Sequence, residues 1–141
     1  MKSQDCIFFQ LAKASQAGTR HWQECVAPFG VTAAQGMILA FLAEEDDVTS
    51  GGLGSRVQLD SATLTGIIDR LSRAGLVERK RHPEDRRAIR IGLTVKGRSV
   101  AGKIRALVEP ENRSFLSNLT PEEEMIFRTL LRKVISRRKY Q

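Results

Sequence analysis

One stretch, residues 60–97, constrains the fold most, because the spacing of its apolar residues changes abruptly part of the way along. Its first part has apolar residues at the spacing of an amphipathic helix, namely Leu64, Ile67, Ile68 and Leu71. We expect Asp60 or Ser61 to cap the start of this helix and Gly75 to end it after Ala74. The following residues alternate in the manner of two short strands. A helix followed by a strand hairpin is typical of a winged helix.

The predicted turn between the strands, residues 82–87, concentrates positive charge. Pro83 has a fixed φ that suits a turn, and the carboxylate of Asp85 can accept hydrogen bonds from nearby amides. We expect the turn to project Arg86 and Arg87 away from the body, where two guanidinium groups repel each other unless an anion lies between them. The minor groove of duplex DNA, where it is narrow, supplies such a negative potential.

The solvent face of the predicted helix carries short hydroxyl groups near its start and cations further along. These residues are Ser61, Thr63, Thr65, Arg70 and Arg73. Hydroxyl groups can donate to or accept from base edges in the major groove, whereas guanidinium groups more often hold phosphates. We therefore predict that the three hydroxyls approach bases, that Asp60 orients them as a cap, and that the two arginines position the helix on the DNA backbone.

The positive charge of the chain lies in the same region. Residues 60–105 contain 12 of the 23 Lys and Arg residues but only 5 of the 16 Asp and Glu residues, so the net charge of +7 resides there. Localised positive charge indicates phosphate binding. A charge cluster alone is more often a solvated surface, but its location on a predicted helix and wing favours nucleic acid as the partner.

The order and spacing of these elements resemble the MarR (multiple-antibiotic-resistance repressor) family of bacterial transcription regulators. Asp85-x-Arg87, followed after five residues by Leu93-Thr94-x-x-Gly97, resembles the wing signature of that family. Residues 61–65 and 71–77 resemble its recognition helix and the exit from it. The resemblance is detailed over about residues 30–97.

The resemblance implies a mainly α fold with a small β-hairpin wing, a winged helix-turn-helix with terminal dimerisation helices. It implies a single MarR-like domain over residues 1–141, with the DNA-binding lobe at about 30–97 and dimerisation helices at about 1–28 and 98–141. By the same resemblance, Arg87 enters the minor groove and Asp85 braces it, while Arg86 shares the task. The partners implied are a second copy of the chain and a palindromic double-stranded operator.

Helices are also predicted on either side of the winged segment. The first covers about residues 5–27, and its expected buried positions are Phe8, Leu11, Trp22, Cys25 and Val26. Thr32 and Gln35 predict a capping box for the second, with Met37, Ile38, Phe41 and Leu42 on its inner face. Thr49 or Ser50 should cap a third, short helix that extends to about Val57.

Two further helices follow the hairpin. Thr94 should cap a long one that has Val95, Val100, Ile104 and Leu107 on its apolar face, and Pro110 should kink it or end it near Val108. Gly97 predicts a close approach of another backbone. The sequence Thr120-Pro121-Glu122-Glu123 starts the last helix, whose expected inner positions are Ile126, Phe127, Leu130, Leu131, Val134 and Ile135, and whose basic end is Arg137, Arg138 and Lys139. The broad apolar faces of the first and last helices favour a homodimer over packing within a monomer.

Two hypotheses remain open for the signal that controls DNA binding. In the first, a small aromatic or phenolic effector enters a crevice lined by His21, Trp22, Phe29 and Met37. In the second, Cys6 is a thiol sensor of peroxide, because the segment 59–65 resembles the hydroperoxide-sensing branch of the family. Cys6 lies about two residues before the position expected there, and the supporting tyrosines are missing. A disulfide between Cys6 and Cys25 within one continuous helix is excluded by distance.

The sequence does not indicate an enzyme, a cofactor or a metal. It has two histidines, His21 and His82, with no ligand set at metal-binding spacing, and it contains no nucleophile elbow. The opening residues do not resemble a signal peptide and no apolar run is long enough for a membrane span, so we expect a cytoplasmic protein that associates with the bacterial nucleoid. A DNA-compacting architectural protein without sequence preference remains a further alternative.

Overall fold

The computed structural model describes residues 1–81, 84–85 and 88–136. Its elements are a 3₁₀ turn Ser3–Asp5, α1 Ile7–Val26, a second 3₁₀ turn Ala27–Phe29, α2 Ala33–Glu44, β1 Val48–Thr49, α3 Ser50–Val57, α4 Ser61–Arg73, β2 Val77–Arg81, β3 Ile89–Leu93, α5 Val95–Phe115 and α6 Pro121–Ser136. The prediction of a mainly α fold with a β wing is confirmed. The chain divides into two compact units, Met1–Val108 and Glu109–Gln141.

The core of the first unit surrounds the inner face of α4. All four apolar residues predicted for that face are buried, and they pack in one cluster with residues from the other elements, among them Ile38, Leu42, Leu53, Leu76, Ile91 and Ile104. Since the inner face is fully covered, the rotation of α4 about its own axis is fixed. The opposite face of α4 is therefore held toward solvent.

Three strands form an antiparallel sheet in the order β1, β3, β2. The predicted hairpin is confirmed, with Val77 opposite Leu93 and Arg81 opposite Ile89. The third strand, β1, was not predicted, because two residues are too few to show an alternating pattern. It pairs Val48 with Ile91 and so attaches the chain before α3 to the wing.

Side-chain caps define the starts of α2, α3 and α6, as the sequence predicts. The Thr32 hydroxyl accepts from the Gln35 amide and the Gln35 side chain accepts from the Thr32 amide, which completes the predicted capping box of α2. Thr120 and Glu123 form the same reciprocal pair at α6. The Thr49 hydroxyl caps α3 by accepting from Gly52. Each cap satisfies amides that have no partner inside the helix.

Of the two outcomes predicted for Pro110, a kink stays a prediction, but α5 does not end near Val108. It continues through Pro110 to Phe115. Proline removes one amide donor and destabilises a helix interior, but the hydrogen bonds on either side can maintain the helix. The prediction for Gly97 is confirmed, because a Cβ there would collide with the backbone carbonyl of Leu76.

Several apolar positions predicted to be buried are exposed in the single chain. On α1, Phe8 is 78% exposed and Leu11 is also exposed, so only Val26 of the predicted set is fully buried. Met37 on α2 and Val95 on α5 are exposed as well. On α6 the exposed residues include Ile126, Phe127, Leu130, Val134 and Ile135. Helical spacing marks an apolar face correctly but does not say whether the same chain covers it.

The predicted basic end of α6, Arg137, Arg138 and Lys139, lies outside the described residues. Within the described part of the chain, no single helix has both the length and the apolar character of a membrane span. Only α1 with its 3₁₀ extension and α2, taken together across a bend of 74°, meet those two conditions.

Candidate nucleic-acid interface

The turn between α3 and α4 sets the angle at which α4 leaves the body. Gln58 has a left-handed backbone with a φ of 56°, and its amide still donates to the Gly54 carbonyl. The Leu59 amide donates to the same carbonyl over 3.2 Å. A reversal this tight brings two helices into one compact helix-turn-helix, in which the second helix begins at the surface.

Asp60 caps α4 and also holds one of the predicted base-reading hydroxyls. Its Oδ1 accepts from the Thr63 amide and its Oδ2 accepts from the Thr63 hydroxyl, both over 2.8 Å. These hydrogen bonds, the amide first and the hydroxyl second, lower the pKa of the exposed Asp60 carboxyl. Because the Thr63 hydroxyl proton is engaged, that hydroxyl is left as an acceptor toward any outside partner.

Ser61, Thr65, Arg70 and Arg73 all lie on the exposed side of α4. The structure therefore brings together, on one face, five of the residues predicted to contact DNA, including Thr63. Among the described residues, none forms an ion pair with Arg70 or Arg73. Two guanidinium groups near the C-terminal end of α4 and short hydroxyls near its N-terminal end are an arrangement that can hold phosphates and approach base edges.

Arg79 on β2 ties the wing to α4 and was not identified from the sequence. Its guanidinium lies 2.7 Å from a carboxylate oxygen of Asp69 and 3.4 Å from the Thr65 carbonyl oxygen. Asp69 is on the outer part of α4, where an unpaired carboxylate would repel a phosphate. The pair thus neutralises an anion on the candidate interface and fixes β2 against the helix. The partners lie ten positions apart in the sequence and on different elements, so no local pattern could have revealed the pair.

A second set of contacts, also missed from the sequence, anchors strand β3. The Arg90 guanidinium donates to the Asp47 carbonyl over 2.9 Å and lies 3.2 Å from the Asp47 carboxylate. The Asp46 carboxylate accepts from the Leu93 amide over 2.9 Å. Asp47 has a positive φ of 55°, which directs these groups toward β3.

The tip of the wing is described in part. Asp85 is exposed, and its carbonyl accepts from the Ala88 amide. Arg86 and Arg87 lie outside the described residues, so the prediction that Arg87 enters the minor groove with Asp85 as its brace stays a prediction.

Two of the four residues predicted to line an effector crevice, Trp22 and Phe29, have contacts within the fold. The Trp22 indole donates to the Ala33 carbonyl over 3.1 Å and, with Phe29, packs against the core, while Met37 is exposed. His21 is half-buried on α1. None of the four lines the concavities between α3 and α4 (about 300 Å³) or between α4 and the sheet (about 260 Å³). Gln23, which sequence reasoning passed over, joins Trp22 in fastening α1 to the start of α2 through Val31 and Ala33.

The predicted redox residue, Cys6, is half-buried and occupies the N-cap position of α1, where its side chain makes no capping hydrogen bond. Cys25, which is also half-buried, lies near the other end of the same helix. The two residues are therefore separated along one continuous helix, as predicted.

Comparison with known proteins identifies relatives along nearly the whole chain. The sequence profile of the MarR family matches residues 31–89. The chain is 35% identical over 138 residues to the HTH-type transcriptional regulator TtmR of Methylorubrum extorquens, covering 98% of this chain and 67% of that protein. It is 33% identical over 97 residues to the organic hydroperoxide resistance transcriptional regulator of Bacillus subtilis, covering 69% and 66%. The chain thus spans about two thirds of the length of these two relatives. The multiple antibiotic resistance protein MarR of Escherichia coli is 30% identical over 122 residues, covering 86% and 85%.

Solved structures with the same fold include proteins bound to DNA and to a small molecule. A mutant of MarR from Escherichia coli in complex with operator DNA matches with a TM-score of 0.81 at 29% identity, over 89% of this chain and 90% of that one. The PcaV transcriptional regulator from Streptomyces coelicolor, in complex with its natural ligand, matches with a TM-score of 0.87 at 27% identity, over 97% and 96%.

Proposed function

The chain belongs to the MarR family, and we propose from that premise that it is a homodimeric repressor that binds a palindromic double-stranded operator in a sequence-specific manner. Its relatives are transcription regulators, so we assign it no enzymatic activity. We propose that it acts in the cytoplasm, bound to the bacterial chromosome. A small aromatic or phenolic effector releases it from the operator.

The outer face of α4 is the observation that carries this proposal. Its inner face is buried along its whole length, while hydroxyls and two arginines without ion-pair partners among the described residues face solvent. In our proposal α4 enters the major groove with Asp60, Ser61, Thr63 and Thr65 near base edges. Arg70 and Arg73 then hold phosphates, and the wing reaches the adjacent minor groove through Arg87, with Arg86 and Asp85 beside it.

The dimer is inferred from apolar surface that the single chain leaves open. At the start of α1, Ile7, Phe8 and Phe9 are each about half exposed or more. α6 separately exposes a row of large apolar side chains, of which Leu130 and Val134 are 52% and 56% exposed. Exposed apolar side chains grouped on a helix favour a protein contact, and a second copy of the chain would also space two α4 helices for a palindromic site.

The effector proposal rests on the family and on residues close to the α1–α2 junction. PcaV was solved with its natural ligand, so a fold of this kind can hold a small molecule. In this chain His21, Trp22, Phe29 and Met37 are our candidates for contacts with an aromatic effector. Because Trp22 also fastens α1 to α2 through its bond to Ala33, an effector that displaced this bond would disturb the start of the DNA-binding lobe.

A thiol switch is the second candidate signal, and one relative favours it. The Bacillus subtilis relative is an organic hydroperoxide resistance regulator, and Cys6 is a half-buried free thiol at the start of α1. Oxidation of Cys6 by a hydroperoxide to a sulfenic acid would reduce the peroxide to an alcohol and add a polar oxygen at the helix cap. Loss of DNA binding in peroxide-treated protein, with retention in Cys6→Ser, would support this route. Unchanged binding after complete oxidation would exclude it.

The repressor proposal is tested by selecting duplexes from a random pool with the purified protein and titrating the selected DNA by fluorescence anisotropy. We expect a palindromic consensus and an affinity at least about a thousandfold above that for random DNA. Equal affinity for both would instead indicate an architectural protein. Arg87→Ala should cost about 1 to 3 kcal/mol in operator binding, and an unchanged affinity at physiological salt would remove Arg87 from the interface.

A further inference from the structure

Gly66 occupies the middle of α4, yet no contact within the described chain requires a glycine there. A Cβ built on Gly66 would meet no atom within 4 Å, and the residue is exposed. Glycine is the least favourable residue in a helix interior apart from proline, because it loses the most backbone freedom on folding. The recognition helix of this protein therefore carries a destabilising residue without an internal reason for it.

Several other helical glycines have such a reason. A Cβ on Gly36 would lie 2.8 Å from a methyl group of Val26, so that glycine allows α1 and α2 to pack closely. At Gly97 the obstacle is the Leu76 carbonyl. Gly66 differs from both, because the space that its missing side chain leaves opens to solvent. If that space has a use, the group that fills it comes from outside the chain.

The position of Gly66 on the helix identifies the direction from which such a group would approach. With 100° between successive residues, Gly66 and Ala62 lie one turn apart on the side opposite the buried face of α4. Over the first two turns, the outermost line of the helix thus has no side chain larger than a methyl group. Ser61 and Thr65 lie on one flank of this line, and both are exposed.

The small residues on the outermost line matter because the neighbouring hydroxyls of Ser61 and Thr65 are short. The hydroxyl oxygen of a serine or threonine lies only two bonds from its Cα, so it reaches a base edge only if the helix backbone comes very close to the groove floor. A long side chain on the outermost line would hold the helix away. We propose that Gly66 sets the depth at which α4 enters the major groove, and that this depth is what brings Ser61 and Thr65 within reach of the bases.

This inference rests on the proposed DNA-binding function and adds a specificity-determining residue to it. An alanine at position 66 would add a second methyl group to the outermost line, one helical turn from that of Ala62 and beside Thr65, so that the helix could no longer approach the groove closely at this turn. Hydrogen bonds between oxygen or nitrogen atoms span about 2.7–3.2 Å and are lost beyond about 3.5 Å. Displacement of the helix by a good part of a bond length would therefore break contacts that the short hydroxyls make with bases, whereas flexible arginines could still reach phosphates.

The test compares Gly66→Ala with Gly102→Ala. Gly102 is an exposed glycine in the interior of α5, and a Cβ there also meets nothing within 4 Å, so it is a matched control for helix propensity. We expect both substitutions to raise the melting temperature. Gly66→Ala should weaken binding to the duplex selected with the wild-type protein by about tenfold or more, as for loss of a base contact. Its affinity for a scrambled duplex, which depends on phosphates, should stay within about twofold. Gly102→Ala should change neither affinity.

A double-mutant cycle tests the depth argument itself. Thr65→Val removes a hydroxyl and keeps the shape of the side chain, so it should weaken binding to the selected duplex in the wild-type background. In the Gly66→Ala background the hydroxyl would already be out of reach, so the same change should cost almost nothing. An equal cost in both backgrounds would overturn the inference, as would wild-type affinity in Gly66→Ala. If the wild-type protein selected no duplex at all, the proposed function would fail together with it.

Discussion

Gly97→Ala should destabilise the fold strongly, because the added methyl group would meet only backbone. The three atoms nearest to a Cβ at this position are the carbonyl oxygen, carbonyl carbon and Cα of Leu76. No side-chain rotation can relieve such a contact, so α5 and the segment before β2 must separate. Leu76 is 3% exposed and belongs to the core, which resists that movement.

The expected magnitude follows from the bonds that hold this junction. The Leu76 amide donates to the Leu71 carbonyl over 3.0 Å, and the Leu76 carbonyl accepts from the Thr94 amide over 3.1 Å. Displacement of Leu76 weakens both, at about 1 kcal/mol each, and overpacking adds about 1–3 kcal/mol. The higher helix propensity of alanine offsets about 1 kcal/mol of this loss in the free energy of unfolding. The free energy of unfolding should therefore fall by about 2–4 kcal/mol.

Thermal and urea unfolding measure this effect, at one fixed protein concentration because a dimer links stability to concentration. At about 4 °C per kcal/mol for a chain of this length, the melting temperature should fall by roughly 8–16 °C. Gly102→Ala, in open space on the same helix, is the control and should gain up to about 1 kcal/mol. If the two variants unfolded within about 1 kcal/mol of each other, the close approach of Leu76 to α5 would not be the reason for glycine at position 97.

Three further predictions concern the cap, the phosphate contacts and the dimer. Asp60→Ala should destabilise α4. Because the pKa of Asp60 is lowered on folding, the part of the lost stability that depends on the charged carboxylate should be full above about pH 5 and should disappear as the pH falls from about 4 through the lowered pKa, which urea unfolding across that range would measure. Arg73→Ala should reduce the slope of log K against log salt by about 0.9 per protomer if it holds one phosphate, and an unchanged slope would exclude that contact. Leu130→Asp should convert the protein from a dimer to a species near the chain mass of 15.7 kDa in light scattering, whereas persistence of the dimer would place α6 outside the interface.

The sequence predicted the winged segment well because local rules determine it. The inner face of α4, its cap at Asp60 and its end before Gly75 depend on spacing, capping and the left-handed backbone that glycine adopts at 73°. The hairpin depends on alternation. These signals lie within a few residues of the elements they specify, so they can be interpreted without knowledge of the tertiary structure.

What could not be predicted depends on residues that are distant in sequence. Strand β1 exists because Val48 pairs with Ile91, and its own two residues carry no pattern. The Asp69–Arg79 pair joins a helix to a strand. The exposure of Phe8 and Leu130 depends on which surface covers them, which periodicity does not encode. In each case the sequence shows the type of the residue correctly, but it does not show which distant residue or surface the residue contacts.

Net charge is also a poor measure of DNA binding, because it counts cations without regard to their partners within the chain. Residues 60–105 contain 12 basic residues, but Arg79 is paired with Asp69, Lys80 with Glu78, Arg90 with Asp47 and Arg105 with Glu44. Cations that already neutralise a carboxylate of their own chain release few counterions when DNA binds. Arg79 and Arg90 thus hold the wing against the rest of the fold, while in our proposal Arg70 and Arg73 on α4 contact phosphates. The salt dependence of binding should therefore be smaller than the basic residue count implies, and a slope per protomer that approached that count would mean that these internal pairs open on DNA.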